Sequence, residues 1–418
     1  MSTPPKSSPV NLSHGRGYLA IPGPSVMPEA VLNAMHRPAP NIYSGALVDM
    51  MPPLMQGLRD IARTQHHVAM YIGNGHAAWE ASLSNVIAPG DKVLVPATGR
   101  FGHGWGDTAT GLGADVEVMD FGKQSAMDLD QIADRLEADT AHEIKAVLAV
   151  HVDTSTSVRN DIAGVRAALD AVDHPALLMA DCIASFGCDI FEMDRWGVDV
   201  MVTGCQKGLM VPPGVSFVFF NDRAAEVRAK MTWVSRFWDW TPRANPQEFY
   251  QYHCGTAPTH HIYGLQVAVD MIKTEGVEAV WARHATLARA VWAACDAWGT
   301  EGTLAMNIAD PALRSHAVTA LRLEAPQATQ LRGTRKHRSD AGHRPWHGPS
   351  RQRRKPRIFP SGAYGSCERA DDHGSAWRDR GRHVSLGDQA RAGGIGRSGQ
   401  GDWRFLTLIQ TLCDPVDQ

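Results

Sequence analysis

The residue best suited to covalent chemistry is a lysine inside an apolar, glycine-rich segment. Lys207 lies in residues 203–214, T-G-C-Q-K-G-L-M-V-P-P-G, directly after the apolar run 198–202. Partial burial there lowers the pKa of the amine, because burial penalises the charged form, and a neutral amine can condense with an aldehyde. A phosphate-binding P-loop is the competing interpretation, but the spacing GxxxxGK[ST] is absent.

A carboxylate ends another apolar run. Asp181 follows residues 176–180 and begins D-C-I-A-S-F-G. In open α/β sheets the carboxyl ends of the strands face the ligand crevice, so a carboxylate there could hold a protonated heterocyclic nitrogen. Taken alone, an aspartate at this position more commonly caps the following turn.

Three further segments place polar groups beside glycine or at the end of an apolar run. Residues 73–77, G-N-G-H-A, precede a helical pattern and could present free N–H groups to an anion, although such a turn is commonly only a turn. The hydroxyls of residues 151–157, H-V-D-T-S-T-S, could reach a phosphate or cap a turn. Residues 252–258, Y-H-C-G-T-A-P, form a polar loop before a helix.

These segments punctuate an α/β pattern. Short apolar runs at residues 93–95, 146–151, 176–180, 198–202 and 215–220 are typical of strands buried on both faces. Helical patterns lie between them, which predicts a mostly parallel sheet with right-handed crossovers. We expect a polar N-terminal arm (1–15), a large domain (16–264), the start of a smaller C-terminal α/β domain (265–330) and an aberrant tail (331–418).

Composition narrows the class of protein. The chain has 418 residues, 44% of them apolar, and a net charge of −3, which argues against a nucleic-acid binder. No apolar run approaches the roughly 20 residues that span a bilayer, and the N-terminus lacks the apolar part of a signal peptide. The seven cysteines form no CxxC pair, so we expect neither disulfides nor a metal site, and a cytoplasmic location.

Together the five segments resemble the class V, fold-type I pyridoxal-phosphate aminotransferases, and most closely the serine–glyoxylate and alanine–glyoxylate group. The lysine segment G-C-Q-K-G-L-M-V-P-P-G is very similar to that group's lysine motif. The segments I-P-G-P-S-V-M-P, G-N-G-H-A-A-W-E-A, W-G-V-D-V-M-V-T-G and E-A-V-W-A-R-H also match. The resemblance covers about residues 17–323 and implies a pyridoxal 5′-phosphate-dependent transaminase.

The resemblance also implies a role for each site residue. Lys207 would bond to the cofactor aldehyde and shuttle the proton, and Asp181 would pair with the pyridine N–H. The remaining predicted cofactor contacts are to the phosphate (Gly75, His76 and Gln206), to the 3-hydroxyl side of the ring (Thr154), to the two ring faces (Phe101 and Ile183) and, from the neighbouring subunit, to the phosphate again (Tyr252 and Thr256).

The last two contacts imply a homodimer with shared active sites. The resemblance further implies a small amino acid (serine or alanine) as donor and a small 2-oxo acid (glyoxylate or pyruvate) as acceptor. Cysteine desulfurases place a His over the ring, where this chain has Phe101. A pyridoxamine–pyruvate transaminase shares the framework and stays open as an alternative.

The resemblance ends where the composition changes. Residues 331–404 contain 15 Arg but only five Leu, Ile or Val, with no apolar period. Such a segment buries too little apolar surface to offset the entropy of ordering it. A basic disordered tail and an Arg-rich nucleic-acid arm are two interpretations.

A frameshift is the third interpretation. The family continues with segments like T-L-G-I-G-L-G-M and F-R-I-G-H-M-G-H-V-N, and the Arg of the second binds the substrate carboxylate. Back-translated and read one base later, residues 340–348 give T-L-G-I-G-L-G-M, and residues 359–369 give F-R-R-G-H-M-G-H-V-N. Both segments return in one frame, which favours a frameshift between about residues 327 and 340. The chain as written then lacks the Arg that binds the substrate carboxylate. A catalytically impaired relative that still binds cofactor is therefore a further alternative.

Overall fold

The protein is described by a computed structural model that covers residues 21–232, 234–324 and the backbone of residues 403–409. The strands are β1 His67–Gly73, β2 Lys92–Ala97, β3 Asp115–Asp120, β4 Ile144–Val150, β5 Val152–Asp153, β6 Val158–Arg159, β7 Leu177–Asp181, β8 Val200–Gly204, β9 Gly214–Phe220, β10 Ala305–Met306, β11 Val318–Glu324 and β12 Trp403–Ile409. The predicted arm and most of the predicted tail lie outside the described residues.

Helices connect most of the strands. They are α1 Glu29–Met35, α2 Ala46–Ala62, α3 Gly75–Val86, α4 Arg100–Gly111, α5 Leu129–Glu137, α6 Ile162–Ala171, α7 Asp222–Lys230, α8 Thr241–Ala244, α9 Thr259–Glu275 and α10 Val277–Gly299. Ile132 and Leu136 of α5 are buried, and so are the apolar faces of α9 and α10.

Seven strands form the main sheet, in the order β1-β9-β8-β7-β4-β2-β3. All are parallel except β9, which runs antiparallel to both of its neighbours. The mostly parallel α/β sheet is therefore as the sequence predicts. The antiparallel strand was not predicted. It follows from the short link between Gly204 and Gly214, which has no room for the crossover helix that a parallel pairing needs.

Both faces of the sheet are covered. Alternate residues of β1 enter different cores, with Met70 on one face and Tyr71 on the other. The first core is completed by α2, α6 and α9, and the second by α3 and α4. Burial on both faces explains the continuous apolar runs of these strands and leaves polar groups for the strand ends.

A smaller sheet follows α10. Its order is β10-β11-β12, with both pairings antiparallel, so residues 403–409 pair with β11 along its length. The predicted boundary between residues 264 and 265 falls inside α9, whose apolar residues belong to the main core. The proposed division into domains stays a prediction.

Candidate active site

The predicted catalytic residues meet at one edge of the main sheet. Asp181 is the last residue of β7, and Lys207 comes three residues after the end of β8, the neighbouring parallel strand. On the other side of β7, β4 ends at Val150, opposite Asp181. Because the carboxyl ends of parallel strands face one crevice, this topology brings the two segments together.

Asp181 is a buried carboxylate held by two donors. Asp181 is 3% exposed. Oδ1 accepts from the Ile183 N–H at 2.7 Å, and Oδ2 accepts from the Trp79 Nε1–H at 2.9 Å. Burial raises the pKa of Asp181 to about 7, the charge of Asp153 adds to the increase, and the two donors and Lys207 oppose it. A cationic partner in the crevice would favour the ionised form.

Lys207 is only partly exposed and lies against the first described residues of the chain. Its amine donates to the Pro22 carbonyl, and its own carbonyl accepts from the Ser25 hydroxyl at 2.9 Å. A Cβ on Gly23 would lie 2.6 Å from the Lys207 Nζ, so the glycine permits this approach. Burial lowers the pKa of Lys207, while Asp181 opposes the change. The segment I-P-G-P-S, which carried part of the resemblance, thus covers the lysine.

The turn after β1 forms the start of α3. Gly75 is the first residue of this helix, and the Asn74 side chain caps it by accepting from the His76 N–H at 3.1 Å. The start of a helix offers N–H groups to an anion, as the sequence predicts. The cap is a finding that the sequence did not predict: an anion at His76 N–H would have to share this donor with Asn74 or displace it.

Asp153 links the segments that carry Phe101 and Thr154. The backbone N–H of Phe101, at the start of α4, donates to Asp153 Oδ2 at 2.8 Å. Asp153 is fully buried, ends β5 and precedes Thr154, which is also buried. Asp153 Oδ1 also accepts from the Ser155 N–H at 2.9 Å. This carboxylate therefore fixes the loop of Thr154 relative to the helix of Phe101.

Ile183 packs directly on the start of α3. A Cβ on Gly75 would lie 2.3 Å from Ile183 Cδ1, so a larger residue there would have to displace the Ile183 side chain. The two residues were assigned to different parts of the cofactor, the phosphate for Gly75 and a ring face for Ile183. Their contact places both at the edge that carries Asp181.

The polar groups at this edge fit an anionic cofactor. Gln206 Oε1 is buried and accepts no hydrogen bond among the described residues. Gln206 lies next to Lys207 and against Gly204 at the end of β8. The Oε1 oxygen is an acceptor, so only the amide N–H groups of Gln206 could bind a phosphate. The start of α3 supplies further phosphate donors, Lys207 supplies a condensing amine, and the buried Asp181 carboxylate supplies a partner for a protonated ring nitrogen. The residues present therefore fit pyridoxal phosphate.

Tyr252 and Thr256 lie in the segment before α9. Tyr252 ends a single 3₁₀ turn, Phe249–Tyr252, and its carbonyl accepts from Arg243, which also binds the Met70 carbonyl of β1. Burial raises the pKa of Tyr252. Thr256 is exposed. Their predicted contact with a neighbouring subunit's cofactor stays a prediction.

Two buried residues of the site were not assigned a role from the sequence. Asp153 stands in the quoted segment H-V-D-T-S-T-S, and Trp79 in G-N-G-H-A-A-W-E-A. Trp79 lies three residues after His76 on α3, which puts both on one face of the helix. That spacing was the available signal for Trp79, whereas its hydrogen bond to Asp181 joins residues 102 positions apart.

The described residues place limits on other kinds of site. No three His, Cys, Asp or Glu side chains in residues 21–324 come together in a way that could hold a metal ion. Within the same part of the chain, none of the helices has the length and apolar character needed to cross a membrane.

The fold and this constellation define a pyridoxal-phosphate-type transferase of fold type I. Residues 18–327 match the Aminotransferase class-V family, and the chain belongs to that family. It is 39% identical over 306 residues to L-aspartate–glyoxylate aminotransferase of Paracoccus denitrificans, covering 72% of this chain and 76% of that protein. It is 38% identical to serine–glyoxylate aminotransferase of Hyphomicrobium methylovorum, covering 68% and 70%.

Solved structures agree on the fold. Alanine–glyoxylate aminotransferase from Nostoc sp. superposes with a TM-score of 0.70 at 26% identity, covering 79% of this chain and 86% of that chain. Pyridoxamine–pyruvate aminotransferase from Mesorhizobium loti superposes with a TM-score of 0.66 at 28% identity, covering 73% and 76%. The resemblance that the sequence motifs indicated, to class V aminotransferases, is confirmed.

Proposed function

We propose that this protein is a pyridoxal-phosphate-dependent aminotransferase that moves an amino group from a small amino acid to a small 2-oxo acid such as glyoxylate or pyruvate. The observation that carries the proposal is the pairing of Lys207 and Asp181 at the ends of adjacent strands, in a chain of the class V family. Relatives named for aspartate, serine and alanine as donors support this substrate class. Aspartate is a donor that the sequence motifs did not suggest.

The chain's own residues would divide the work as follows. The Asp181 carboxylate binds the ring N–H, and the lowered pKa of Lys207 leaves its amine free to take up and return a proton. The start of α3 at Gly75 and His76 and the Gln206 amide bind the phosphate. Thr154 holds the 3-hydroxyl side of the ring.

Phe101 and Ile183 would hold the ring between them and exclude water from its faces. Pyridoxal phosphate, when bound, supplies the aldehyde that accepts the donor's amine and a ring that withdraws electrons from the donor's Cα. The protein's part is to orient these groups and to move the proton at Cα. In the balanced overall reaction, donor amino acid and acceptor 2-oxo acid exchange their amino and oxo groups.

We also propose a homodimer in which Tyr252 and Thr256 reach the neighbouring subunit's phosphate, and a cytoplasmic location. Thr256 is exposed and Tyr252 is half-buried, which leaves both side chains accessible to a neighbouring subunit. Size-exclusion chromatography with light scattering, on wild type and on Tyr252→Phe, tests the dimer and the contact across subunits. A dimer with weakened cofactor retention in the variant supports the proposal, and a monomer with full cofactor retention contradicts it.

The substrate class is tested by a donor screen. The cofactor-loaded protein is mixed with L-serine, L-alanine, L-aspartate or pyridoxamine, and the change in cofactor absorbance reports each half-reaction. Rapid conversion by one or more of the amino acids supports the proposal. Conversion by pyridoxamine alone would favour the pyridoxamine–pyruvate alternative, which is the activity named for the Mesorhizobium loti protein that this chain resembles in structure.

A second candidate function rests on the end of the sequence. The chain as written lacks the family's carboxylate-binding Arg segment, so it would bind cofactor and transaminate very weakly. We propose the frameshift as the cause. A cofactor-loaded protein that converts none of the donors supports this candidate over an active transaminase.

A further inference from the structure

Trp79 connects three of the residues assigned to the cofactor. It lies on the buried face of α3, where the residue is 1% exposed. Its Nε1–H donates to Asp181 Oδ2 at 2.9 Å. Its ring centroid lies 4.6 Å from that of His76 and, edge-on, 6.2 Å from that of Phe101. One side chain thus touches residues from the β7 end, the α3 start and the α4 start.

We propose that Trp79 is a positioning residue of the cofactor site: its indole N–H orients the Asp181 carboxylate and favours its ionised form, and its ring sets the spacing between α3 and Phe101. The proposal rests on the proposed function, in which Asp181 binds the ring nitrogen. It adds a residue that holds Asp181 in place.

The hydrogen-bonding chemistry gives Trp79 a direction of action. An indole N–H can only donate, so it bonds to a carboxylate oxygen and cannot accept from a protonated acid. Asp181 has one donor on each oxygen, Ile183 N–H on Oδ1 and Trp79 on Oδ2. An ionised carboxylate accepts about four hydrogen bonds, so acceptor capacity remains for a third donor.

The surroundings of Asp181 make this donor consequential. Burial and Asp153 favour the neutral form of Asp181, while the Ile183 N–H, Trp79 and Lys207 favour its ionised form. The thiol of the neighbouring Cys182 has a raised pKa. His151 lies beside Asp181, and its backbone N–H donates to the Asp181 carbonyl. Removing one of the few groups that favour the anion therefore raises the pKa of Asp181 further.

The chain offers a matched control. Trp105, on α4, stacks on Trp79 with ring centroids 6.2 Å apart and is fully buried. Its Nε1 makes no hydrogen bond within the described residues. Trp79→Phe and Trp105→Phe therefore remove the same atoms from the same aromatic stack, but only Trp79→Phe removes a donor from Asp181.

The experiment measures pyridoxal phosphate affinity and thermal unfolding on the full chain from pH 5 to pH 8. We expect Trp79→Phe to weaken cofactor binding about tenfold at pH 8, as the loss of one hydrogen bond to a charged group implies. Its loss of Tm relative to wild type grows with pH, because the hydrogen bond to the ionised carboxylate is stronger than the one to the neutral acid. Trp105→Phe shows a pH-independent loss of Tm and cofactor affinity within about twofold of wild type.

The outcomes separate this proposal from the proposed function. A wild-type chain that binds no cofactor contradicts the proposed function, while the pH dependence of the Tm difference still decides the role of Trp79. A pH-independent loss for Trp79→Phe, with cofactor affinity equal to that of Trp105→Phe, overturns the positioning role.

A measurement on wild type covers the case in which Trp79→Phe does not fold. With ¹⁵N-labelled indoles, one Trp Nε1–H resonance should titrate with Asp181 and lose that titration in Asp181→Asn. No such resonance in the folded protein would equally overturn the proposal.

Discussion

At the scale of single residues, burial shifts the pKa values of Lys207 and Asp181 in opposite directions. Burial lowers the pKa of Lys207 and raises that of Asp181 to about 7, so both groups are shifted toward their neutral forms. The cationic ring nitrogen of the proposed cofactor would reverse this shift for Asp181 and leave Lys207 as the base. In the proposed function, this environment would prepare Lys207 to carry a proton and Asp181 to hold the cationic ring nitrogen.

Lys207 should be the residue that bonds to the cofactor. Borohydride treatment of the cofactor-loaded protein, followed by peptide mapping, should leave the cofactor attached to the peptide that contains Lys207. Lys207→Arg keeps the charge but has no condensing amine, so it should give no labelled peptide. A label on another lysine in wild type would contradict the assignment.

Asp181→Asn should reduce turnover far more than it reduces folding. Loss of the charged partner of the ring nitrogen removes about 3–5 kcal/mol of barrier stabilisation, or roughly 10²–10⁴ in kcat, at about 1.4 kcal/mol per factor of ten. Turnover close to wild type would mean that Asp181 only caps the turn after β7.

The same variant has a signature in the cofactor-free protein. Because folding raises the pKa of Asp181 from 3.8 to about 7, the folded state holds its proton more tightly, and this group's contribution to stability is lost as pH rises from about 4 to about 7. Asp181→Asn removes the titration, so its Tm should gain on that of wild type across this range and run parallel above it. Parallel curves throughout would contradict the raised pKa.

The sequence predicted these residues because both follow apolar runs, and strand ends in parallel sheets share an edge. It could not predict the contacts that set their pKa values. The Trp79 donor comes from a position 102 residues away, and Asp153 and Lys207 act through space. Such contacts depend on how α3 packs on the sheet, which no local pattern in the sequence specifies.

At the scale of elements, another buried carboxylate, that of Asp189, ties the segment before β11 to the loop after β7. Asp189 is fully buried, and it accepts from the Ser315 hydroxyl at 2.7 Å and from the His316 N–H at 2.9 Å. Burial raises its pKa, but hydrogen bonds and charge from His316 outweigh this and hold the pKa at about 2. This link fixes the chain as it enters the smaller sheet.

Asp189→Asn should loosen that segment. A buried acceptor and its charge are lost, which we expect to cost about 2–4 kcal/mol of unfolding free energy and to speed amide exchange at His316. Since folding lowers the pKa of Asp189, its contribution is present above about pH 4 and disappears as pH falls toward 2. Asp222→Asn, in an exposed pair with His67, is the control and should leave exchange at His316 unchanged. Equal effects of the two variants would contradict the role of Asp189.

The elements themselves followed well from the sequence. The runs that predicted β2, β4, β7, β8 and β9 all overlap strands, and their continuous burial is what made them visible. The direction of β9 was missed because an apolar run carries no information about strand polarity. Only the short link after Gly204 does so, and that link was interpreted as a site segment.

At the scale of the whole molecule, the match to class V aminotransferases ends where the sequence changes character. The family match covers residues 18–327, and the Arg-rich composition begins at about residue 331. Composition could predict that break but not its cause. Re-reading residues 340–348 and 359–369 one base later restores two family segments, which is why we propose a frameshift rather than a basic tail.

Deleting one base between codons 327 and 340 should therefore give a more stable and more active protein. The restored chain would carry the apolar residues that a small domain needs. At about 25 cal/mol per Å² of apolar surface, roughly 200 Å² left uncovered costs about 5 kcal/mol, comparable with the stability of a whole domain. It would also regain the Arg that binds the donor's carboxylate, so donor half-reactions should be faster by about 10²-fold or more.

Both versions are expressed side by side and compared by Tm, by protease resistance beyond residue 331, and by half-reactions with serine, alanine and aspartate. Cofactor binding is expected in both, because Lys207, Asp181 and the start of α3 precede the change of frame. A full-length chain as written with a protease-resistant C-terminus and half-reactions as fast as those of the restored chain would show that the tail is a working part of the protein, and the frameshift proposal would be wrong.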